Sequence, residues 1–577
     1  MPRARKIATC DCETDPFLKG RIVRPFVWGY YDGKEFRVFH STEEFVNFVK
    51  PKEIILYAHN GGKFDFMMLL SYVGETRAQI INGRIVSMSL GQCELRDSFA
   101  AVPQSLGSIK KDEIEYWKMD KRHREKYMNE IIPYMRGDCV YLHELMTAYR
   151  HAAGKKKTIA SNAFAYAQKL GIDPGRSNHR FDTRMRPFYY GGRTECPRPG
   201  TWKNISVFDI HSSYPRAMME LHPFGTDFHQ DERALERLSR SEIQRSFIEL
   251  KCFADGCFPF RSIDNPGLHF PSAYNEYFVT GWEYIAAKDL GLIDDETILN
   301  VRYTKETITF APYINFWYDF KESHPKKTDP INYTIGKTMM VSLYGKLSQD
   351  IEKYHDYKIV ENDARLPCTT PKAPRNSRHP HHEKCLICGF EINDHGWDFY
   401  TLFEGKTFHR RPSLWKHQNL YGGDWEMKPL YKNVATGASI TGYARAALLI
   451  AREAVGREHV IYCDTDSLVL DQFADTSKLP QTSKIGDWAC EISNAPIGHF
   501  CGKKTYAIDL GTKDKCTCID RKGNCKRHKV VTKGARLTFE EISRVVKGEK
   551  VEYLADAPSF SLARGIVPVH RIIRRTA

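Results

Sequence analysis

The sequence predicts a multidomain protein of mixed α/β and α+β class, and three observations carry that expectation. At 577 residues the chain exceeds the roughly 250–300 residues at which a single core stops growing, so several subdomains are required. Short apolar strands that carry or end in acids recur along it: residues 7–12, Val207-Phe208-Asp209-Ile210, and the runs on either side of Tyr462-Cys463-Asp464-Thr465-Asp466-Ser467. Between them lie stretches with helical spacing, such as Lys337, Val341 and Tyr344 at i, i+4 and i+7, which share one helical face.

Taken in order, the first strand bears Asp11 and Glu13 one residue apart, and side chains at i and i+2 of a strand point to the same side. His59-Asn60-Gly61-Gly62-Lys63-Phe64-Asp65 follows a second apolar run, and Asp65 enters a helical stretch through Phe66-Met67-Met68-Leu69-Leu70. Tyr134 and Asp138 are four apart in a helical pattern, hence neighbours on one face. Four acids from three elements could hold two cations, with a tyrosine to orient an attacking water. Residues 151–157 read as a small basic connector. Tyr189-Tyr190-Gly191-Gly192 then pairs glycines, which admit close backbone approach to a nucleic acid, with a tyrosine hydroxyl for a phosphate; an ordinary turn is the plainer reading.

The next acid is Asp209, at the end of its strand and followed by a turn through His211-Ser212-Ser213-Tyr214-Pro215. Lys337 and Tyr344 set a cation suited to a triphosphate beside a ring suited to a base. Asp464 and Asp466 sit one residue apart at the tip of a turn between two apolar strands, which by the same i, i+2 rule points both carboxylates to one face. Alone, such a pair reads as a solvated hairpin, because Asp is common in turns. Like charges this close need a metal or a base to offset them. With Asp209 as a third carboxylate, two strands would supply a pair of ions about 3.5–4 Å apart. Lys503-Lys504-Thr505-Tyr506 projects a lysine and an aromatic near a strand start.

The segments 207–215, 337–346 and 462–467 resemble motifs A, B and C of the family B DNA polymerases, and their spacing is most similar to the protein-primed subgroup. The resemblance implies a DNA-directed DNA polymerase with a right-hand palm, fingers and thumb and two insertions, using two Mg2+ (or Mn2+) ions per active site. It makes Asp209 and Asp466 the principal metal ligands, with Asp464 beside them and the Ile210 carbonyl assisting. Tyr214 would lie under the incoming sugar and exclude a 2′-hydroxyl, Lys337 would hold the triphosphate, and Tyr344 would pack on the nascent base pair. Val341 departs from the pattern, since the family usually carries Asn there. Lys504 and Tyr506 match a Lys-x-Tyr motif that contacts the primer terminus. Tyr189, Gly191 and Gly192 match a Tyr-x-Gly-Gly motif that links exonuclease and polymerase activities.

The N-terminal acids resemble the three exonuclease motifs of a 3′-5′ proofreading domain with an RNase-H-like fold. That resemblance implies Asp11, Glu13, Asp65 and Asp138 as metal ligands, Tyr134 and Lys111 as catalytic auxiliaries, and Thr14, Asn60, Phe64, Ser98 and Phe99 as the grip on the frayed primer strand. The second of these motifs carries an extra glycine.

On this reading residues 1–150 are the exonuclease domain, 151–188 a connector, 189–224 the first part of the palm, and 225–310 an insertion that docks a terminal protein. Residues 311–350 are the fingers, with Lys326 and Lys327 as further phosphate contacts. Residues 351–434 are a second insertion for strand displacement and processivity, 435–530 the second part of the palm, and 531–577 a thumb with a basic tail. The expected partners are primer-template DNA, dNTPs, a terminal protein whose hydroxyl serves as primer, and a single-stranded DNA-binding protein. The expected setting is a monomer in the host-cell cytoplasm, replicating a linear viral or plasmid genome. The rival readings are a family B polymerase using ordinary nucleic-acid primers and a non-catalytic DNA-binding replication protein.

Composition agrees with a polyanion partner. A net charge of +14 speaks to nucleic-acid affinity and its salt dependence rather than to fold. No uninterrupted apolar run reaches the 18 or so residues of a membrane span, and the basic start broken by Asp11 is not a secretory signal. Sixteen cysteines in that context suggest reduced thiols or metal ligands rather than disulfides. Cys385 and Cys388 have the knuckle spacing of a structural zinc site, with Cys368, His382 or His395 to complete it; a polar loop is the alternative. Cys516, Cys518, Cys525 and His528 form a second candidate cluster in a loop with few apolar residues to fold it otherwise. Neither cluster belongs to the family pattern.

Overall fold

The protein is described by a computed structural model covering residues 5–17, 23–74, 76–108, 114–350, 356–360, 398–401, 407–411, 432–513, 525–561 and 565–575. Strand Lys6–Thr14 lies at the heart of an N-terminal sheet, parallel to Ile54–Ala58 and antiparallel to Pro25–Tyr31, and Ile54–Ala58 is in turn parallel to Cys93–Asp97. Parallel strands need both faces covered. Alternation along Ile54–Ala58 achieves this: Leu56 and Ala58 join Trp28, Phe45 and Phe66 on one side, whereas Ile55 and Tyr57 meet Leu142, Leu145 and Met146 of helix Met128–Ala152 on the other. The same second layer continues into Tyr313 and Trp317 of helix Ala311–Glu322 and Met339 and Leu343 of helix Pro330–Leu347. One core therefore joins the N-terminal sheet to residues 311–347. At the far edge of that sheet, Thr76–Ile81 pairs with Asp356–Val360 through Tyr357 opposite Ala78 and Ile359 opposite Thr76.

A second sheet of seven strands is antiparallel throughout its length. It runs His528–Thr532, Thr505–Asp509, Trp488–Gly502, Gly200–Ile210, Ser467–Leu470, Val460–Asp464, Thr194–Glu195. Phe208, Val460 and Leu468 face Leu448 and Val455 at the end of helix Val434–Ala454, while Val207, Ile461 and Val469 bury the opposite face with Phe500 and Ile508. Helix Val434–Ala454 is long and apolar enough by length and composition to span a bilayer, but 83% of its most apolar window is buried within the protein. It is a core helix, and its Arg445 is neutralised inside that core by Glu283 at 2.7 Å. Residues between the two acid-bearing strands add a four-stranded antiparallel sheet, Phe247–Asp255 paired with both Ser272–Thr280 and Ile293–Tyr303, the latter edged by His229–Gln230.

Two local expectations have instructive outcomes. The helix near Thr538 forms at Phe539–Val546, opened by a capping box in which Thr538 and Glu541 each satisfy the other's backbone, as the sequence pattern favours. The stretch after Phe64 is a 3-10 turn, Asp65–Tyr72, rather than an α-helix. A three-residue repeat eclipses i and i+3, which stacks Phe66 above Leu69 and Met67 above Leu70, all four fully buried.

Candidate active sites

In the seven-stranded sheet Asp209 sits one residue from its strand end, directly opposite Ser467, and the Ile210 N–H donates to the Asp466 carbonyl at 2.8 Å. This register brings the 464–467 turn alongside Asp209. Thr465 adopts a left-handed φ of 62°, so the i, i+2 rule for a continuous strand does not hold across the turn, and the two acids have different surroundings. Asp464 accepts from Thr194 Oγ1 at 2.9 Å, from Tyr462 Oη at 3.2 Å and from Lys504 Nζ at 2.7 Å. Asp466 is pushed up to about 7 by burial, then by the charges of Asp209 and Asp464. Asp209 rises to about 6 through burial and the charge of Glu491, opposed by Lys529, His211 and Lys337. Asp464 thus has a cation in direct contact, whereas among the described residues no ion pair is made to Asp209 or Asp466.

Around that pair stand the other residues singled out from sequence. Lys337 and Val341 are exposed on helix Pro330–Leu347, with Tyr344 on the same face and Ile335, Met339 and Leu343 buried on the other. Tyr344 stacks on Tyr214, ring centroids 4.3 Å apart and planes at 15°. Tyr506 packs 5.0 Å from the ring of Tyr462, whose hydroxyl accepts from the Lys504 N–H. Tyr189 is half-buried. Arg445 donates to the carbonyls of Tyr190 and Gly191 at 2.6 and 3.0 Å. The paired glycines have different reasons to be there. A Cβ on Gly192 would lie 2.6 Å from the Thr465 side chain, whereas one on Gly191 would meet nothing within 4 Å among the described residues. Gly192 is thus fitted to the acid-bearing turn, and Gly191 is not crowded by any described residue. Glu491 and Lys529, joined at 3.2 Å, border Asp209 without having been marked by any sequence motif. Strand Trp488–Gly502 is irregular between Cys490 and Ile492, which hides the placement of Glu491 from a period-two reading.

The second set of acids is more deeply enclosed. Asp11 is raised by burial, then by Glu13, Asp65 and Asp138. Burial, then Asp138 and Asp65, push Glu13 up to about 8. Asp65 reaches about 7, chiefly through burial, although the Cys12 thiol and the Cys12 N–H at 3.2 Å both donate to it. Among the described residues the buried Glu13 Oε1 has no hydrogen-bond partner, and an acceptor so placed among like charges suits a cation. Tyr134 hydrogen-bonds Tyr116, and both hydroxyls are raised by burial and by Asp138, Glu13 and Asp11. Tyr116 carries no sequence signal, because it opens a 3-10 turn, Tyr116–Met119, too short to show a period.

The residues expected to grip a strand surround these acids unevenly. Phe64 meets Phe17 edge-on at 6.0 Å, and Thr14 is buried. The Ser98 hydroxyl is engaged internally by His59 Nδ1 at 3.0 Å and the Ala58 carbonyl at 3.3 Å. Asn60 and Phe99 both touch Arg84. Both glycines of this motif have a steric cause: a Cβ on Gly61 would lie 2.6 Å from the Ala58 Cβ, and one on Gly62 would come within 2.0 Å of the Ile85 carbonyl oxygen. Lys111, Cys385, Cys388, His395, Cys516 and Cys518 lie outside the described residues. The His528 N–H donates to Cys525 Sγ at 3.1 Å, and the His528 ring stacks on Phe539 at 4.0 Å. Among the described residues no group of three or more His, Cys, Asp or Glu side chains is gathered closely enough to hold a metal ion as it stands.

Residues 108–372 match the family described as DNA polymerase type B, organellar and viral. A DNA-directed DNA polymerase of Enterobacteria phage PRD1 is 32% identical over 599 aligned positions, spanning 99% of this chain and 98% of the relative. The chain belongs to the organellar and viral type B DNA polymerases. It is a DNA-directed DNA polymerase of phage type, and such enzymes depend on divalent metal ions. The DNA polymerase of Bacillus phage phi29 is 24% identical across 89% of this polymerase and 88% of its own length. Two solved structures of the phi29 enzyme share the fold: its ternary complex with primer-template DNA and incoming nucleotide substrates, and its post-translocation binary complex with primer-template DNA. They align with TM-scores of 0.70 and 0.71 at 19% and 20% identity, covering 99% of this polymerase and 100% of the phi29 chain.

Proposed function

We propose that this polymerase adds deoxynucleotides at the Asp209 and Asp466 site, removes misincorporated ones at the Asp11, Glu13, Asp65 and Asp138 site, and begins synthesis on a terminal protein at the end of a linear genome. The observation that carries the reading is the presence of two separate groups of acids, Asp209 with Asp466 at the seven-stranded sheet and Asp11, Glu13, Asp65 and Asp138 gathered around the first strand of the N-terminal sheet. A single nucleotidyl-transfer centre would need only one.

Asp209 and Asp466 would hold the magnesium or manganese ions of the first site, and the four N-terminal acids those of the second. The chemistry such ions supply when bound is acidification of the attacking oxygen and neutralisation of charge on the leaving one. Asp464 acts through Lys504, which it holds where the primer terminus arrives; Tyr506 supports the same end. Lys337 meets the triphosphate, and insertion of a nucleotide parts the Tyr214 and Tyr344 rings so that one lies under the sugar and the other against the base pair. A 2′-hydroxyl would strike Tyr214, which selects dNTPs. Val341, apolar and exposed where an amide is usual, leaves that part of the pocket without a hydrogen bond. Tyr189 and Gly191 border the template path, and Tyr134 orients water at the exonuclease site. Structural zinc at the two cysteine clusters is a proposal from spacing, checked by metal analysis of the purified protein.

Priming is tested by supplying labelled dNTP without any nucleic-acid primer. Covalent transfer of dNMP to a protein hydroxyl supports terminal-protein priming. Extension of ordinary primers with no labelled protein under any condition contradicts it and favours a nucleic-acid-primed enzyme.

A further inference from the structure

At the N-terminal site one cation serves two purposes. Arg84, at the start of strand Arg84–Leu90, donates through Nη1 to Asn60 Oδ1 at 2.7 Å and to Asp97 Oδ2 at 2.6 Å. Its guanidinium also lies 4.4 Å from the centre of the Phe99 ring. The Asp97 side chain is wholly buried and accepts from the Phe99 N–H at 3.0 Å. Arg84 therefore touches Asn60 and Phe99 directly and fixes the turn that carries Phe99 through Asp97.

Two consequences follow from donor chemistry. Holding Asn60 by its carbonyl oxygen leaves the amide NH2 as the outward end, a donor for phosphate or sugar oxygen. Asn60 keeps that pose at a left-handed φ of 59°, which Asn tolerates. Both internal contacts of Arg84 use Nη1, and among the described residues Nε and Nη2 have no partner, while the side chain keeps 15% of its surface. That free edge is the side-on fork that matches two oxygens of a phosphate.

We propose that Arg84 is a phosphate contact for a single-stranded 3′ end at this site, and that it aims the Asn60 amide and the Phe99 ring at the same strand. The proposal rests on the exonuclease reading given above. The four carboxylates repel a polyanion, so a fixed cation beside them lowers the barrier to a strand's approach.

The test measures binding of a short single-stranded oligonucleotide by fluorescence anisotropy in EDTA over a range of salt, beside steady-state digestion of the same strand in magnesium. Arg84→Gln alone would leave buried Asp97 unpaired, so Arg84→Gln with Asp97→Asn is the informative variant, and Arg84→Lys keeps the charge without the fork. Expected for the double variant is about tenfold weaker binding and a salt slope lower by about 0.7, the share of one phosphate on a single strand. Arg84→Lys should keep the slope and raise KM more than it lowers kcat. A double variant with wild-type affinity and wild-type slope overturns the proposal, whatever its melting temperature. A wild-type enzyme that binds the strand but digests no 3′ ends overturns the exonuclease reading instead, and the salt slope still decides whether Arg84 contacts phosphate.

Discussion

Gly192→Ala should cripple nucleotide addition through a contact that involves no nucleic acid. The new Cβ would lie 2.6 Å from both Cγ2 and Oγ1 of Thr465, against an ordinary contact of 3.4–4 Å, so the turn must yield by nearly 1 Å. Thr465 cannot rotate away freely: it is β-branched, its N–H is held by the Arg193 carbonyl at 2.6 Å, and its backbone is left-handed. Overpacking of this kind costs about 1–3 kcal/mol of stability, and a displacement of about 1 Å at a reacting centre can cost about 100-fold in rate. The assay is single-turnover incorporation of one dNTP at saturation, beside thermal melting. Thr465→Gly removes the obstructing atoms, and glycine is at ease at a positive φ. The Gly192→Ala, Thr465→Gly pair should recover most of the lost rate. Gly192→Ala with wild-type rate and melting would refute the reasoning, as would failure of the second change to restore a crippled first.

Further outcomes can be stated. Asp464→Asn should retain more nucleotide addition than Asp466→Asn in single-turnover kinetics, because Lys504 already offsets Asp464 whereas Asp466 faces Asp209. His222 is buried between the Ala217 carbonyl and the Ser439 hydroxyl, and burial lowers it from 6.5 to about 4. The folded protein stays neutral there while the unfolded chain gains a proton, so stability present above pH 6.5 is lost as pH falls toward 4, by roughly 3 kcal/mol; denaturant melts of His222→Gln should lack that portion. Glu13 and Asp65, raised to about 8 and about 7, retain protons that the unfolded chain has released above about pH 4.5. Their contribution therefore destabilises the fold increasingly as pH rises to 8. Magnesium should raise the melting temperature more at pH 8 than at pH 5, and Glu13→Gln should reduce that difference.

Much of this site was legible because its signals are local. Asp11 with Glu13, and Asp209 with its apolar strand, declare themselves by alternation, and Lys337 with Tyr344 by helical spacing. What stayed hidden depends on the third dimension. The pairing of Asp356–Val360 with Thr76–Ile81 joins segments far apart in sequence, and no periodic pattern announces it. Glu491 acts on Asp209 across two strands far apart in sequence, from a point where strand Trp488–Gly502 shifts its register. Arg84 reads as an ordinary strand residue until the chain folds Asn60, Asp97 and Phe99 around it. The difference between Asp464 and Asp466 was likewise a matter of the turn, since one residue of left-handed backbone gives them different partners.

The most direct test follows a labelled primer with a mismatched 3′ end in two variants, scoring extension and shortening in the same lanes. Asp466→Ala should shorten the primer at the wild-type rate and never extend it, whereas Asp11→Ala with Glu13→Ala should leave its 3′ end undegraded and still extend a matched primer. Loss of both activities in either variant, or extension by Asp466→Ala, would contradict the assignment of two separate carboxylate centres.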